Sequence, residues 1–135
     1  MSTSLGELSA SPAISVILPV LNEEPHLDES VSAILSQDYQ GIFEVILALG
    51  PSQDRTNEIA NALAARDNRV KLVSNPTGKT AAGLNLAIAS SQSSVIVRVD
   101  GHAKIPNNYL SLAIKILRET GAVNVGGVMA AEGIS

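Results

Sequence analysis

Cysteine and tryptophan are absent from the 135 residues, and the only other large aromatics are one Phe and two Tyr. Without cysteine there is no disulfide and no thiolate zinc site, a composition that fits a reducing compartment. With aromatics at 2 % and hydrophobic residues at 45 %, the core has to be built from Val, Ile, Leu and Ala, the usual filling between helices and a parallel sheet. Basic charge is short as well: nine Lys and Arg stand against thirteen Asp and Glu, a net charge of −4, so no nucleic-acid surface is expected. The longest apolar run, "ISVILPVL", falls far below the roughly 20 residues of a membrane span, and the N-terminus lacks a signal pattern. A soluble piece is expected.

Two nucleotide fingerprints are also missing. No Gly-x-Gly-x-x-Gly occurs, which leaves dinucleotide oxidoreduction without support. Gly78, Lys79 and Thr80 look like the end of a phosphate-binding P-loop, but Val73 stands where that motif needs its first glycine. Together with "VIVRVD", the half-match keeps a degenerate P-loop-like NTPase as the alternative, beside a non-catalytic nucleotide-binding module.

What is present is an alternation. After a small, polar stretch (1–13) read as a flexible tail, β-branched runs alternate with segments of helical period. Strand "ISVILPV" precedes helix "HLDESVSAILSQ", and strand "FEVILAL" precedes helix "RTNEIANALAARD". Strand "VKLVSN" then leads to helix "TAAGLNLAIASS", and strand "SVIVRVD" to helix "NNYLSLAIKILRET". Strands this apolar are buried on both sides, so four βα units in a row predict an α/β domain: a doubly wound, mostly parallel sheet with helices on both faces. Leu27, Val31, Ile34 and Leu35 form the inner stripe of the first helix, Leu110, Ile114 and Leu117 that of the last, and Gly121 is the helix stop. The closing "AVNVGGVMAAEGIS" reads as a fifth strand and an unfinished segment, so residues 14–135 are taken as part of a domain truncated at its C-terminus.

Ligands of open α/β sheets bind beyond the carboxyl ends of the strands. Past the fourth strand, Asp100 and His102 alternate around Gly101, so an extended or bent chain turns both toward one ion. A carboxylate oxygen and an imidazole nitrogen, completed by phosphate oxygens and water, suit Mn²⁺ or Mg²⁺; a solvated loop is the plainer reading. Arg98, inside an apolar strand, is read as a buried guanidinium that needs a carboxylate or an anionic ligand. Lys79 near a helix start meets phosphates by charge, or is a surface lysine. Asn22, Glu23 and Glu24 offer acceptors to a polar ligand or open a helix with acidic residues; Asp54 is read as a cap and His26 as a surface residue.

Taken in order, "ISVILPVLNEE", "SAILSQDY", "FEVILALGPSQDRT", "NPTGKTAAGLNLAI" and "VIVRVDGHAKIPNNYL" resemble the nucleotide-sugar-binding half of family 2 glycosyltransferases with the GT-A fold. The resemblance covers nearly everything after the tail and is greatest to the transferases of bacterial exopolysaccharide assembly related to the succinoglycan glucosyltransferases. It implies metal-assisted, inverting transfer of a sugar from a nucleoside-diphosphate donor to a polysaccharide or lipid-linked acceptor at the cytoplasmic face of the membrane. Asp100 and His102 then occupy the family's Asp-x-Asp position and hold the divalent cation that bridges the donor's phosphates. His in the second place departs from the commonest pattern. Pro19, Leu21 and Glu23 match the loop lining the nucleoside pocket, Lys79 matches a basic residue near base or phosphates, and Asn85 matches a helix Asn. Donor contacts are also expected at Gly50 and Arg98. Where the family usually reads Asp-Asp-Gly-Ser-x-Asp, "ALGPSQD" has Leu49 and Gly50, so a side-chain contact to the base is missing and a preference for UDP does not follow. The general base, the acceptor site and any membrane association are expected beyond Ser135, and little turnover is expected from these residues alone.

Overall fold

The structure, a computed structural model, describes residues 11–121, 124–125 and 128–130. Its elements in chain order are β1 (Ile14–Val20), α1 (Leu27–Leu35), β2 (Phe43–Leu49), α2 (Thr56–Arg66), β3 (Val70–Ser74), α3 (Thr80–Ser90), β4 (Val95–Arg98), α4 (Tyr109–Thr120), β5 (Asn124–Val125) and β6 (Val128–Ala130). The sheet order is β3-β2-β1-β4-β6-β5. The pairings β1 with β2, β1 with β4 and β2 with β3 are parallel, whereas β6 runs antiparallel to β4 and β5 antiparallel to β6. The mostly parallel sheet is as expected. Its end differs: the single fifth strand is two short antiparallel strands, and the last residues, 131–135, lie outside the described residues.

Period-two alternation divides each central strand between two apolar layers. Ile14, Val16, Leu18 and Val20 of β1 share a cluster with Leu27, Val31 and Ile34 of α1, Leu63 of α2 and Leu110, Ile114 and Leu117 of α4. Ile17, Ile46, Ala48 and Ile96 face the other way, onto Leu84 and Ala87 of α3. Helices therefore cover both faces, as β strands buried on both sides require. β3 departs from that expectation because it is an edge strand, and Lys71 and Ser74 are exposed. Gly121 ends α4 in the left-handed region at φ 68°, the predicted stop.

The chain moves outward from β1 to β2 and β3, then returns to place β4 on β1's other side, so the topological switch point lies between β1 and β4. There the two strands part early. β1 stays in register with β2 as far as Val20 and Leu49, but with β4 only as far as Ile17 and Arg98. Ile17 turns its backbone toward β4, accepting from Val99 N–H at 3.0 Å. Pro19, two residues on, turns the same way and has no N–H to offer. A proline is tolerated in this central strand because its neighbour has already left the ladder, and the result is an open crevice at the carboxyl ends.

One expectation needs correction here. Arg98 is not a buried guanidinium: its side chain is 44 % exposed, and it lies 3.8 Å from Asp100 Oδ1. The strand is apolar around it, but Arg98 is its last residue and reaches past the sheet's end. Residues 1–10 of the tail lie outside the described residues, whereas Pro12 is buried and Ala13 O accepts from Val95 N–H at 3.2 Å.

Tyr39 holds that segment down, its hydroxyl donating to Pro12 O, and burial pushes its pKa up to about 12. Absorbance titration of a Tyr109→Phe variant should therefore show Tyr39 ionising only near pH 12 in the native protein and near ~10 once unfolded. Because the folded value is the higher, this contribution to stability is full below the unfolded pKa and lost as pH rises from there toward 12. Native ionisation at the ordinary tyrosine value would show that the phenol is not held in this way.

Candidate functional site

Short loops leave β1, β2 and β4 at the crevice, and backbone hydrogen-bonding groups decide how they meet. Asn22 sits at φ 53°, a left-handed conformation that asparagine tolerates. Its N–H donates to Ser52 Oγ at 2.9 Å, and its Oδ1 accepts from Gln53 N–H at 2.7 Å. Glu23 N–H donates to Thr56 Oγ1 at 2.8 Å, Glu24 N–H to Asp54 Oδ2 at 3.2 Å, and Glu24 Oε1 accepts from Arg55 N–H at 2.9 Å. The loop after β1 is thus laced to the loop after β2. Asp54 fills the predicted capping role, accepting from both the hydroxyl and the N–H of Thr56. The Thr56 hydroxyl and the surrounding backbone N–H groups hold the Asp54 carboxyl below the usual carboxylate range.

Glu23 also reaches the loop after β4. Its Oε2 lies 3.0 Å from His102 Nδ1, and its side chain is 18 % exposed against 63 % for His102. Gly101 makes the approach possible, since a Cβ there would come within 3.1 Å of Glu23 Oε2 and 3.2 Å of its Cγ. Asp100 makes no bond to His102; its carboxylate is 55 % exposed and, among the described residues, has the long contact to Arg98 alone. The structure therefore brings Glu23 to His102 and leaves Asp100 open beside them. Among the described residues no group of three His, Cys, Asp or Glu could hold a metal ion unaided. His26 is exposed, as expected.

Leu21, Gly50 and Gly78 meet where the loops after β1, β2 and β3 converge. A Cβ on Gly50 would lie 3.0 Å from Leu21 Cδ1 and 3.1 Å from Gly78 Cα, so Gly50 is a point of close backbone contact. Gly78 has φ 69°, and a Cβ there would meet Pro51 Cδ at 3.1 Å. Gly78→Ala should cost ~1–2 kcal/mol for the left-handed conformation, read as a lower denaturation midpoint with unchanged slope. A neutral substitution would contradict this loop geometry. Lys79 is exposed at the start of α3, its N–H donating to Thr77 Oγ1 at 3.2 Å, and Asn85 is exposed on that helix.

Beyond β2 and β3 lies an open cleft of about 350 Å³ lined by Leu49, Gly50, Pro51, Asn57, Ser74 and Asn75. Asn75, buried, pins the turn after β3 by donating from Nδ2 to Lys79 O at 3.0 Å. Asn57 donates from Nδ2 to Gly50 O at 3.2 Å, and its buried Oδ1 has no partner among the described residues. Sequence reading missed Asn57 and the Glu23–His102 contact. Glu23 and His102 stand out only as polar residues past strand ends, Asn57 only as a polar residue in the first turn of a helix, and the meeting of Glu23 with His102 is decided by a contact 79 residues apart.

The family model for glycosyl transferase family 2 matches residues 15–134. An uncharacterized glycosyltransferase of Haemophilus influenzae is 34 % identical over 117 residues, which is 86 % of this chain and 46 % of that protein. The succinoglycan biosynthesis protein ExoA of Rhizobium meliloti is 31 % identical over 134 residues, 98 % of this chain and 40 % of that protein. Among solved structures, the mannosyltransferase PcManGT of Pyrobaculum calidifontis, in complex with GDP-Man and Mn²⁺, is 28 % identical with a TM-score of 0.72, covering 87 % of this chain and 34 % of that one. The S. aureus TarS 1–349 complex with UDP-GlcNAc has 25 % identity and a TM-score of 0.67, covering 79 % and 31 % respectively. The chain thus spans less than half the length of these relatives.

Proposed function

The chain belongs to glycosyl transferase family 2, and from that premise we propose that its crevice binds a nucleoside-diphosphate sugar for metal-assisted, inverting transfer to a saccharide or lipid-linked acceptor. The observation that carries this reading is the switch point itself: β1 and β4 part beside Pro19, and Asp100 and His102 stand on the rim of the opening. The nucleotide-sugar complexes of the structural relatives and the Mn²⁺ of PcManGT support it.

The donor set suits a hard or borderline cation. Asp100 offers an exposed carboxylate oxygen, and His102 keeps Nε2 for a ligand while Nδ1 faces Glu23. Asp100 and His102 would hold Mn²⁺ or Mg²⁺, with diphosphate and water oxygens filling the remaining positions. When bound, such an ion offsets the negative charge gathering on the leaving diphosphate.

The remaining chain positions the donor. The cleft beyond β2 and β3 receives the nucleoside, with exposed Leu21 beside it and Asn57 among its lining residues. Gly50 contributes no side-chain acceptor to a base, so recognition falls to backbone groups, and discrimination between UDP and GDP is weak. Lys79 adds positive charge at the start of α3. Arg98 lies 3.8 Å from Asp100 on the side of β4, and its exposed guanidinium would face the donor's phosphates.

In this reading the general base and the acceptor site belong to the rest of a protein of the relatives' length. A base must reach the attacking hydroxyl within hydrogen-bond distance. No helix among the described residues is long and apolar enough to cross a membrane.

Calorimetric titration with UDP, GDP and their sugars, with Mn²⁺ and with chelator, tests the reading. Heat of binding should appear with Mn²⁺ and vanish with chelator, for diphosphates more than for monophosphates. Binding indifferent to the ion, or confined to triphosphates and lost in Lys79→Ala, would overturn it in favour of the P-loop-like alternative.

A further inference from the structure

We propose that Glu23 is a positioning residue that holds neutral His102 in the Nδ1–H tautomer and so presents Nε2 as the ligand atom; the inference rests on the metal reading above. A carboxylate only accepts hydrogen bonds. At 3.0 Å from Glu23 Oε2, Nδ1 of a neutral ring must therefore carry the proton, which leaves the lone pair on Nε2.

The contact is built into the fold on three sides. Glu23's backbone is fixed by Thr56 Oγ1 at 2.8 Å, and that hydroxyl in turn donates to Asp54. Its side chain lies against Gly101, where a Cβ would fall 3.1 Å from Oε2. Its backbone carbonyl accepts from His26 N–H at 3.0 Å and Leu27 N–H at 2.9 Å, which ties the residue to the first turn of α1. Glu23 is thereby committed to His102 rather than to a nucleoside. An imidazole on an exposed loop would otherwise rotate and exchange tautomers, and a carboxylate partner on the second nitrogen raises the basicity of the ligating one. The same link joins the loop after β1 to the loop after β4, across the gap where the sheet's own ladder has ended.

The test is a long-range ¹H–¹⁵N spectrum of the metal-free protein at a pH where the ring is neutral. Only two histidines are present, so His26→Asn assigns the signals. His102 should show a protonated Nδ1 and a bare Nε2. Glu23→Ala should shift it toward the Nε2–H form and weaken Mn²⁺ binding about 10- to 100-fold. Glu23→Gln, whose amide oxygen still accepts, should keep the Nδ1–H form and recover part of the affinity. An Nε2–H ring in the wild type overturns the proposal even if Glu23→Ala fails to fold, and so does a tautomer unchanged by Glu23→Ala. A wild-type ring that is Nδ1–H in a protein that binds no Mn²⁺ defeats the metal reading instead, and the ligand role of His102 with it.

Discussion

Asp100→Ala is expected to lower Mn²⁺-dependent donor affinity on the order of 100-fold or more, because loss of a ligand should exceed the 10- to 100-fold typical of its supporting partners. Among the described residues Asp100 is the rim carboxylate left open: Glu23 is taken by His102, Glu24 by Arg55 N–H, and Asp54 by Thr56. Its charged neighbour among the described residues, Arg98 at 3.8 Å, is too far and too exposed for a firm ion pair. The carboxylate therefore reaches an incoming cation without first breaking a strong contact. Asp100→Asn keeps the shape but removes the charge and should fall between wild type and alanine. Arg98→Ala separates the two functions of that corner: metal affinity should hold or rise as a competing cation leaves, while affinity for the diphosphate falls. Equal donor affinity in wild type and Asp100→Ala, both with Mn²⁺, would remove Asp100 from the site.

Leu47→Ala is expected to cost ~2–5 kcal/mol, the range for a leucine removed from a packed core. Leu47 is fully buried in β2, in register with Leu18 of β1 on one side and Leu72 of β3 on the other. A sheet fixed by ladders on both sides cannot collapse into the space, so the cost should fall in the upper half of that range. For a domain with a total stability of ~5–15 kcal/mol this is a large fraction. Leu112→Ala is the matching control: the residue is 49 % exposed on α4, and its loss should stay within ~0.5 kcal/mol. Urea denaturation followed by circular dichroism reads both, and a Leu47→Ala loss below 1 kcal/mol would show the core to be looser than its burial implies.

The sheet was legible in the sequence because its signals are local. β-branched runs between segments of helical period give β1 to β4 and α1 to α4 without reference to anything distant. The C-terminal pair β5 and β6 was not separable, because strands of two and three residues are too short to carry a period. Arg98 shows the limit from another side. A strand pattern records which faces are apolar but not where the strand stops, and one residue decides whether a guanidinium is buried or reaches past the edge.

The site was legible as a set of strand ends and illegible as a set of contacts. Asp100 and His102 stand out by type and spacing, and the resemblance to family 2 glycosyltransferases is carried by such ends. That Glu23 turns to His102, and that Asn57 lines the cleft, depends on loops from different strands meeting beyond the sheet. Gly50 is the instructive case. In sequence it reads as a lost acidic contact; in the structure it is a place where Leu21 and the backbone of Gly78 leave little room for a side chain.

The measurement closest to the core of this mechanism is pulsed EPR of Mn²⁺ bound together with a nucleoside diphosphate. It should show a ³¹P coupling from the diphosphate and a ¹⁴N coupling from one imidazole, the latter lost in His102→Ala and kept in His26→Ala. A ³¹P coupling with no ¹⁴N partner, or a ¹⁴N coupling that survives His102→Ala, would contradict it.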